Sequence, residues 1–348
     1  METISSATLQ TQRQSVATWL LVCCGLVFAM VVLGGFTRLT GSGLSMVDWR
    51  PLMGILPPLN DQQWQRVFEM YQQSPEFQLV NSHMDVAGFK SIFWLEYLHR
   101  LLGRLIGVVF FVPFVVFVLK GYIRKQEWPK YLLMFILGGL QGLLGWYMVR
   151  SGLVDMPQVS QYRLTAHLLA AFLIYSYMLW VALSLLFPAD ASTARHPLYR
   201  KSLAHSAIII VTNVSGGFVA GLDAGKIYNT FPLMGDGLVP PGLMAMQPAW
   251  RNLFENVVTV QFDHRWLALT TFALIVVFWF RARKAGLPGR ARVAVNALLH
   301  TATLQVVLGI STLLLAVPVL LGVAHQATAM LLLTVTVVML HALRHAEQ

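Results

Sequence analysis

Leu105-Ile106-Gly107-Val108-Val109-Phe110-Phe111-Val112-Pro113-Phe114-Val115-Val116-Phe117-Val118-Leu119 runs for fifteen residues without a single polar side chain. Extended back to Phe93 the stretch exceeds the roughly 20 mostly apolar residues that cross a bilayer core about 30 Å thick. Leu267 to Phe280 is a second block of the same kind. Across the chain 56% of the 348 residues are hydrophobic and 11% are charged, where a soluble domain carries about a quarter charged. The chain is therefore membrane-embedded, and in lipid such blocks satisfy their backbone polar groups only as helices. Eight spans follow: Val16–Phe36, Phe93–Leu119, Tyr131–Val149, Leu164–Phe187, Leu203–Gly221, Val257–Phe280, Val293–Val317 and Leu320–Leu343. Two long connections stand out, Thr37–Ile92 and Leu222–Asn256.

Charge fixes the expected orientation. With the N-terminus inside, the inner segments hold Arg13, Lys120, Arg124, Lys125, Lys130, Arg195, Arg200, Lys201, Arg281, Arg283, Lys284, Arg290, Arg292 and Arg344, against only Glu2, Glu127, Asp190 and Glu347. Basic residues concentrate on the cytoplasmic side of membrane proteins, so both termini are expected there. The net charge of +10 is thus accounted for by topology, and it makes no case for nucleic acid. Cys23 and Cys24 are adjacent inside the first span and read as small buried side chains. The first fifteen residues hold one Arg and no cleavage-like site. That is neither signal nor transit peptide, and it points to a bacterial inner membrane.

An internal repeat joins the halves. Gly34-Gly35-Phe36 returns as Gly216-Gly217-Phe218; Pro51-Leu52-Met53-Gly54 returns as Pro232-Leu233-Met234-Gly235; Leu56-Pro57-Pro58 is answered by Val239-Pro240-Pro241. Each series leads to His-Arg early in the next helix, His99-Arg100 and His264-Arg265. Four spans per copy is an even number, so the copies run parallel. The expected architecture is an all-α polytopic protein of two parallel four-helix repeats, residues 1–190 and 191–348.

The repeat also sorts the ten histidines. His99 and His167 sit near the outer ends of spans two and four; His264 and His325 occupy the same places in spans six and eight. Two imidazoles at equal depth on facing helices can ligate one iron from opposite sides. A lone intramembrane His is as often a hydrogen-bonding group between helices, but four in matched pairs favour metal. Zinc prefers four ligands, and only Glu96 and Asp263 lie near, so haem is the better reading. Small residues beside them, Gly103 and Thr165-Ala166, leave room for a flat macrocycle. His83, His196, His205, His300, His341 and His345 have no such pattern and read as ordinary surface or helix-end residues, His196, His341 and His345 at the inner surface.

Glu96 lies three residues before His99, on the same helix face, and Gln261 holds the matching place before His264. One half therefore has an ionisable group beside its histidines and the other an amide. A carboxylate there could shuttle protons or stabilise a developing cation; the plain alternative is an interfacial pair with Arg100. The amide at 261 also implies that the fold tolerates one at 96. Arg100, Arg104 and Arg265 are candidate partners for haem propionates, or interfacial residues that snorkel.

At these residues the chain resembles the haem A synthase family, in its proteobacterial and mitochondrial branch. Gly34-Gly35-Phe36-Thr37-Arg38-Leu39-Thr40-Gly41-Ser42-Gly43-Leu44-Ser45-Met46-Val47-Asp48-Trp49-Arg50-Pro51 is similar to that family's first outer loop, and Ile92-Phe93-Trp94-Leu95-Glu96-Tyr97-Leu98-His99-Arg100-Leu101-Leu102-Gly103-Arg104 to its second helix. The resemblance implies a resident haem b at His264 and His325. It implies a substrate haem O facing His99 and His167, with Glu96 as the essential acid. The implied reaction is two successive hydroxylations of one methyl, giving a geminal diol that loses water to leave the formyl group of haem A. Haem O synthase and cytochrome oxidase assembly proteins are the implied partners. Some members carry a cysteine pair in the outer loops, and this chain has none. The residues alone reach only paired haem sites, so a dihaem b-type electron carrier and a haem chaperone stand as alternatives.

Overall fold

The computed structural model describes residues 6–48, 55–154, 156–188, 195–287 and 289–344. The Pro51 to Gly54 arm of the repeat, the Trp49-Arg50-Pro51 end of the first motif, the 190/191 division, His345, Glu2, Asp190 and Glu347 lie outside the described residues. In chain order the helices are α1 (Ser6–Leu39), α2 (Asp61–Gln72), α3 (Pro75–Leu79), α4 (Val86–Leu119), α5 (Trp128–Arg150), α6 (Gln161–Leu186), α7 (Tyr199–Gly221), α8 (Asn252–Glu255), α9 (Val257–Lys284), α10 (Gly289–Leu314) and α11 (Val319–Arg344). Eight of these, α1, α4 to α7 and α9 to α11, are long and apolar enough to cross a membrane.

Most of these helices overrun the spans read from hydropathy, because a helix that leaves the apolar core can continue into water at little cost. The seventh differs. Its span was read to Val317, but α10 stops at Leu314. Ala316 and Val317 turn the chain at φ 57° and 63°, a sparsely populated conformation for any residue with a Cβ, just before Pro318.

α1, α4, α5 and α6 pack in order around one ring, and α7, α9, α10 and α11 around another. The rings meet where α6 packs on α11, α1 on α11 and α7 on α6. Burial follows this plan: 44% of the apolar window is enclosed in each of α6 and α11, but only 6% in α4 and α5, against 22% in α9 and 28% in α10.

Pro113 lies inside α4. Proline has no N–H to give the carbonyl four residues back, here Val109. Trp19 of α1 supplies the missing donor, its Nε1 lying 2.9 Å from that oxygen. The connection between α1 and α4 is also more than a loop. Trp64, Phe68 and Tyr71, at the spacing of one helix face, bury against Phe89 and Phe93 at the start of α4. Asn60 caps α2, its side chain accepting from Gln63 N at 2.9 Å.

Candidate functional site

Each of the four sequence-selected histidines rests on a glycine of the preceding membrane helix. A Cβ built on Gly34 of α1 would lie 3.1 Å from His99 Cε1 on α4; on Gly145 of α5, 3.0 Å from that of His167 on α6. In the second ring the values are 3.2 Å for Gly216 of α7 against His264 on α9, and 2.9 Å for Gly309 of α10 against His325 on α11. A Cβ at these positions would press on the imidazole or make it shift, so each imidazole is seated against bare backbone.

The surroundings of the rings differ. Ser215 Oγ and His264 Nδ1 are hydrogen-bonded at 2.8 Å, which orients that imidazole and leaves Nε2 for a ligand. His99, His167 and His325 each bury Nδ1 with no partner. Gln305 Nε2 lies 3.4 Å from His325 Nε2, and Gln141 Nε2 donates to the His167 carbonyl at 2.8 Å. His264 and His325 both line a cavity of about 270 Å³ between the helices of the second ring, with Asn213, Arg265 and Arg38. Among the described residues no three His, Cys, Asp or Glu come together. Two imidazoles per ring with no third donor among the described residues, and in the second ring an apolar chamber that both imidazoles line, fit a metal that arrives already held in a macrocycle. The residues present therefore fit haem.

Glu96 is buried, at 3% exposure, and ties the connection that follows α1 to α4. Its Oε2 accepts from Ser45 Oγ at 2.7 Å and from Met46 N at 2.8 Å; its Oε1 accepts from Arg100 Nη2 at 2.6 Å. Arg100 also donates to the Met46 carbonyl at 2.8 Å. In the second ring Gln261 Nε2 donates to the Tyr228 carbonyl at 3.1 Å, joined by Arg265 Nη2 at 2.6 Å. Arg265 Nη1 donates to the Thr230 carbonyl at 2.8 Å, leaving Nε buried and without a partner. Arg104 lies one turn beyond Arg100 on the same face of α4.

Other sequence expectations land elsewhere. Gly103 faces Met30, and Thr165 packs on Gly217 at the junction of the rings, while the space at the four seating glycines is taken by the imidazoles themselves. His341 is not at the surface: it is fully buried, 3.3 Å from Ser184 Oγ. Ser215, Gln141 and Gln305 escaped sequence reasoning. The glutamines had a signal: Leu140-Gln141-Gly142-Leu143-Leu144-Gly145 and Leu304-Gln305-Val306-Val307-Leu308-Gly309 share spacing, each ending on a seating glycine.

Residues 17–337 match the family model COX15-CtaA, described as a cytochrome oxidase assembly protein. The chain belongs to the COX15-CtaA family. It is 52% identical over 335 residues to a protein of Nitrosospira multiformis named "Heme A synthase", covering 95% of this chain and 94% of that one. A protein of the same name from Paramagnetospirillum magneticum is 51% identical over 338 residues, covering 95% and 94%. "Heme A synthase COX15" of Homo sapiens is 44% identical over 366 residues, covering 99% and 89%. Bacterial and mitochondrial COX15-CtaA members thus align along nearly the whole chain, including all four seated histidines' helices.

Proposed function

We propose that this chain is a haem A synthase, an oxidoreductase that converts haem O to haem A within the membrane, with one half holding a resident haem b and the other working on the substrate. The observation that carries the reading is the set of four glycine-seated histidines, two per ring, in a chain about half identical to haem A synthases over its length. Residues 1–190 form the substrate half and 191–348 the cofactor half, as two copies of one four-helix repeat. The asymmetry of their residues supports that division. Ser215 steadies His264, where the position before Gly34 is Leu33. Gln261 stands where Glu96 stands.

His264 and His325 would hold the haem b iron, and when bound that group supplies one-electron transfer. His99 and His167 present imidazoles to the iron of haem O. Glu96, one turn from His99, holds or moves a proton at its carboxylate, or balances positive charge as the methyl is oxidised. Two hydroxylations, each passing two electrons from the methyl carbon to an oxidant from outside the chain, give a geminal diol, which loses water to leave the formyl group. The chain sits in a bacterial inner membrane with both termini cytoplasmic, supported by the crowding of Lys and Arg on that side. The enzyme that supplies haem O and the factors that assemble terminal oxidase are its expected neighbours.

The test is the porphyrin content of membranes from cells lacking their own haem A synthase. Expression of this chain should yield haem A, and purified protein should carry haem B with haem O, its hydroxylated intermediate or haem A. Haem B alone would favour the electron carrier, and binding without conversion the chaperone.

A further inference from the structure

Arg38 ends α1 on a face that belongs to the other half of the molecule. Gln326 of α11 donates to the Val31 carbonyl at 2.8 Å. A Cβ on Gly35 would meet the same glutamine's Oε1 at 3.2 Å, and one on Gly322 would meet Leu39 Cδ1 at 2.7 Å. Glycine at 35 and 322 lets α1 and α11 close up, as small residues do between membrane helices. Carried by that contact, Arg38 reaches the wall of the second-ring cavity, where its Nη2 lies 3.3 Å from Asp223 Oδ1. Lys226 Nζ meets the same oxygen at 3.3 Å. Arg265, next to His264, adds a buried Nε with no acceptor. Arg38, Lys226, Arg265 and Asp223 all line the chamber that His264 and His325 line.

Three cations and one carboxylate leave an excess of positive charge at the outer rim of an apolar chamber. Carboxylates on a flat apolar ring match that arrangement, because charge-assisted hydrogen bonds are strongest where water is thin. The repeat makes the arrangement one-sided. Arg38 follows Gly35 by three, and the residue at that interval after Gly217 is Ala220.

We infer that Arg38 binds the propionates of the haem held by His264 and His325, so that the first half completes the second half's site, while Ala220 gives no such anchor in return. The inference rests on the resident-haem reading above. It explains how a duplicated fold retains one haem and releases another: the retained one is held by both halves.

Haem transfer from purified full-length protein to excess apomyoglobin, followed by absorption, tests this. Arg38→Gln should speed transfer roughly tenfold or more, the scale of one lost charge-assisted hydrogen bond. Asp223→Asn breaks the same ion pair but keeps the cation, and should transfer no faster than the parent. An unchanged rate in Arg38→Gln overturns the assignment; so does equal acceleration in Asp223→Asn, which would make the pair a mere latch. If Arg38→Gln does not accumulate, Arg38→Lys replaces it and should fall between parent and loss, a parental rate overturning the inference. His264→Ala in parallel separates the two claims. Loss of the Soret band there, beside an unaffected Arg38→Gln, overturns the arginine's role alone. An unchanged band overturns the haem's placement and the inference with it.

Discussion

A Cβ on Gly309 would come within 2.9 Å of His325 Cε1, so α10 meets this imidazole with bare backbone. Gly309→Ala must push the ring or part the helices, at about 1–3 kcal/mol for overpacking. The expected result is a lower haem-to-protein ratio and weakened low-spin bands. Gly138, on α5, has nothing within 4 Å of its Cβ position. Gly138→Ala should be neutral or stabilise by about 0.5–1 kcal/mol, as alanine does inside a helix. Spectra and thermal unfolding of the two variants in detergent check both outcomes.

Trp19 and Pro113 should be coupled. Trp19→Phe strands the Val109 carbonyl in the membrane, at about 1–3 kcal/mol for an unsatisfied buried acceptor. Pro113→Ala restores an N–H to the same oxygen, so the double variant should lose less than Trp19→Phe alone. A double-mutant cycle on unfolding in detergent reads the coupling; additive losses would count against the shared carbonyl.

Glu96→Gln is less innocent than the repeat suggests. Gln261 donates to a carbonyl, whereas Glu96 accepts from Ser45, Met46 and Arg100, so an amide at 96 would turn an N–H toward one of these donors. The amide tolerated at 261 is therefore no guide to its cost at 96, which is about 1–3 kcal/mol. The variant should still keep the haem at His264 and His325 and accumulate unconverted haem O. Full haem A production in cells without another synthase would refute a catalytic role for Glu96.

The α2–α3 cap should loosen as pH rises. Burial lifts the Glu76 carboxyl from 4.5 to about 7; the Tyr71 hydroxyl, donating at 3.0 Å, opposes this, and the nearby Glu96 charge adds to it. A folded state that binds the proton more tightly than the unfolded one is fully stabilised below about pH 4.5, and loses that stability as pH rises through about 7. Hydrogen exchange of α2 amides, corrected for intrinsic rates, should show less protection at about pH 8 than at about pH 6. Glu76→Gln should erase the difference.

The eight helices were legible because lipid imposes a simple pattern, the long apolar run; the four histidines were singled out by the internal repeat, and the structure sets each against a glycine. The supporting residues were not. Ser215 stands among other polar residues of α7, and nothing local announces which neighbour it meets; Gln305 was signalled only by the spacing it shares with Gln141. Arg38 gives no local sign of its pairing, since its partner Asp223 is 185 residues away. The α2–α3 cap was legible in principle from the Trp64, Phe68 and Tyr71 spacing, but its length within a polar connection hid it. His341 near the chain end suggested a surface residue, yet α6 covers it through Trp180 and Ser184.

The light enclosure of α4 and α5 has a mechanical consequence. Helices with few neighbours open at lower free energy than those wedged between two rings. This pair should therefore be the soft flank of the molecule, exchanging its amides and yielding to heat while the α6–α11 spine stays intact. A bundle with equal flanks would have one melting behaviour; this one should show a yielding side and a stiff one.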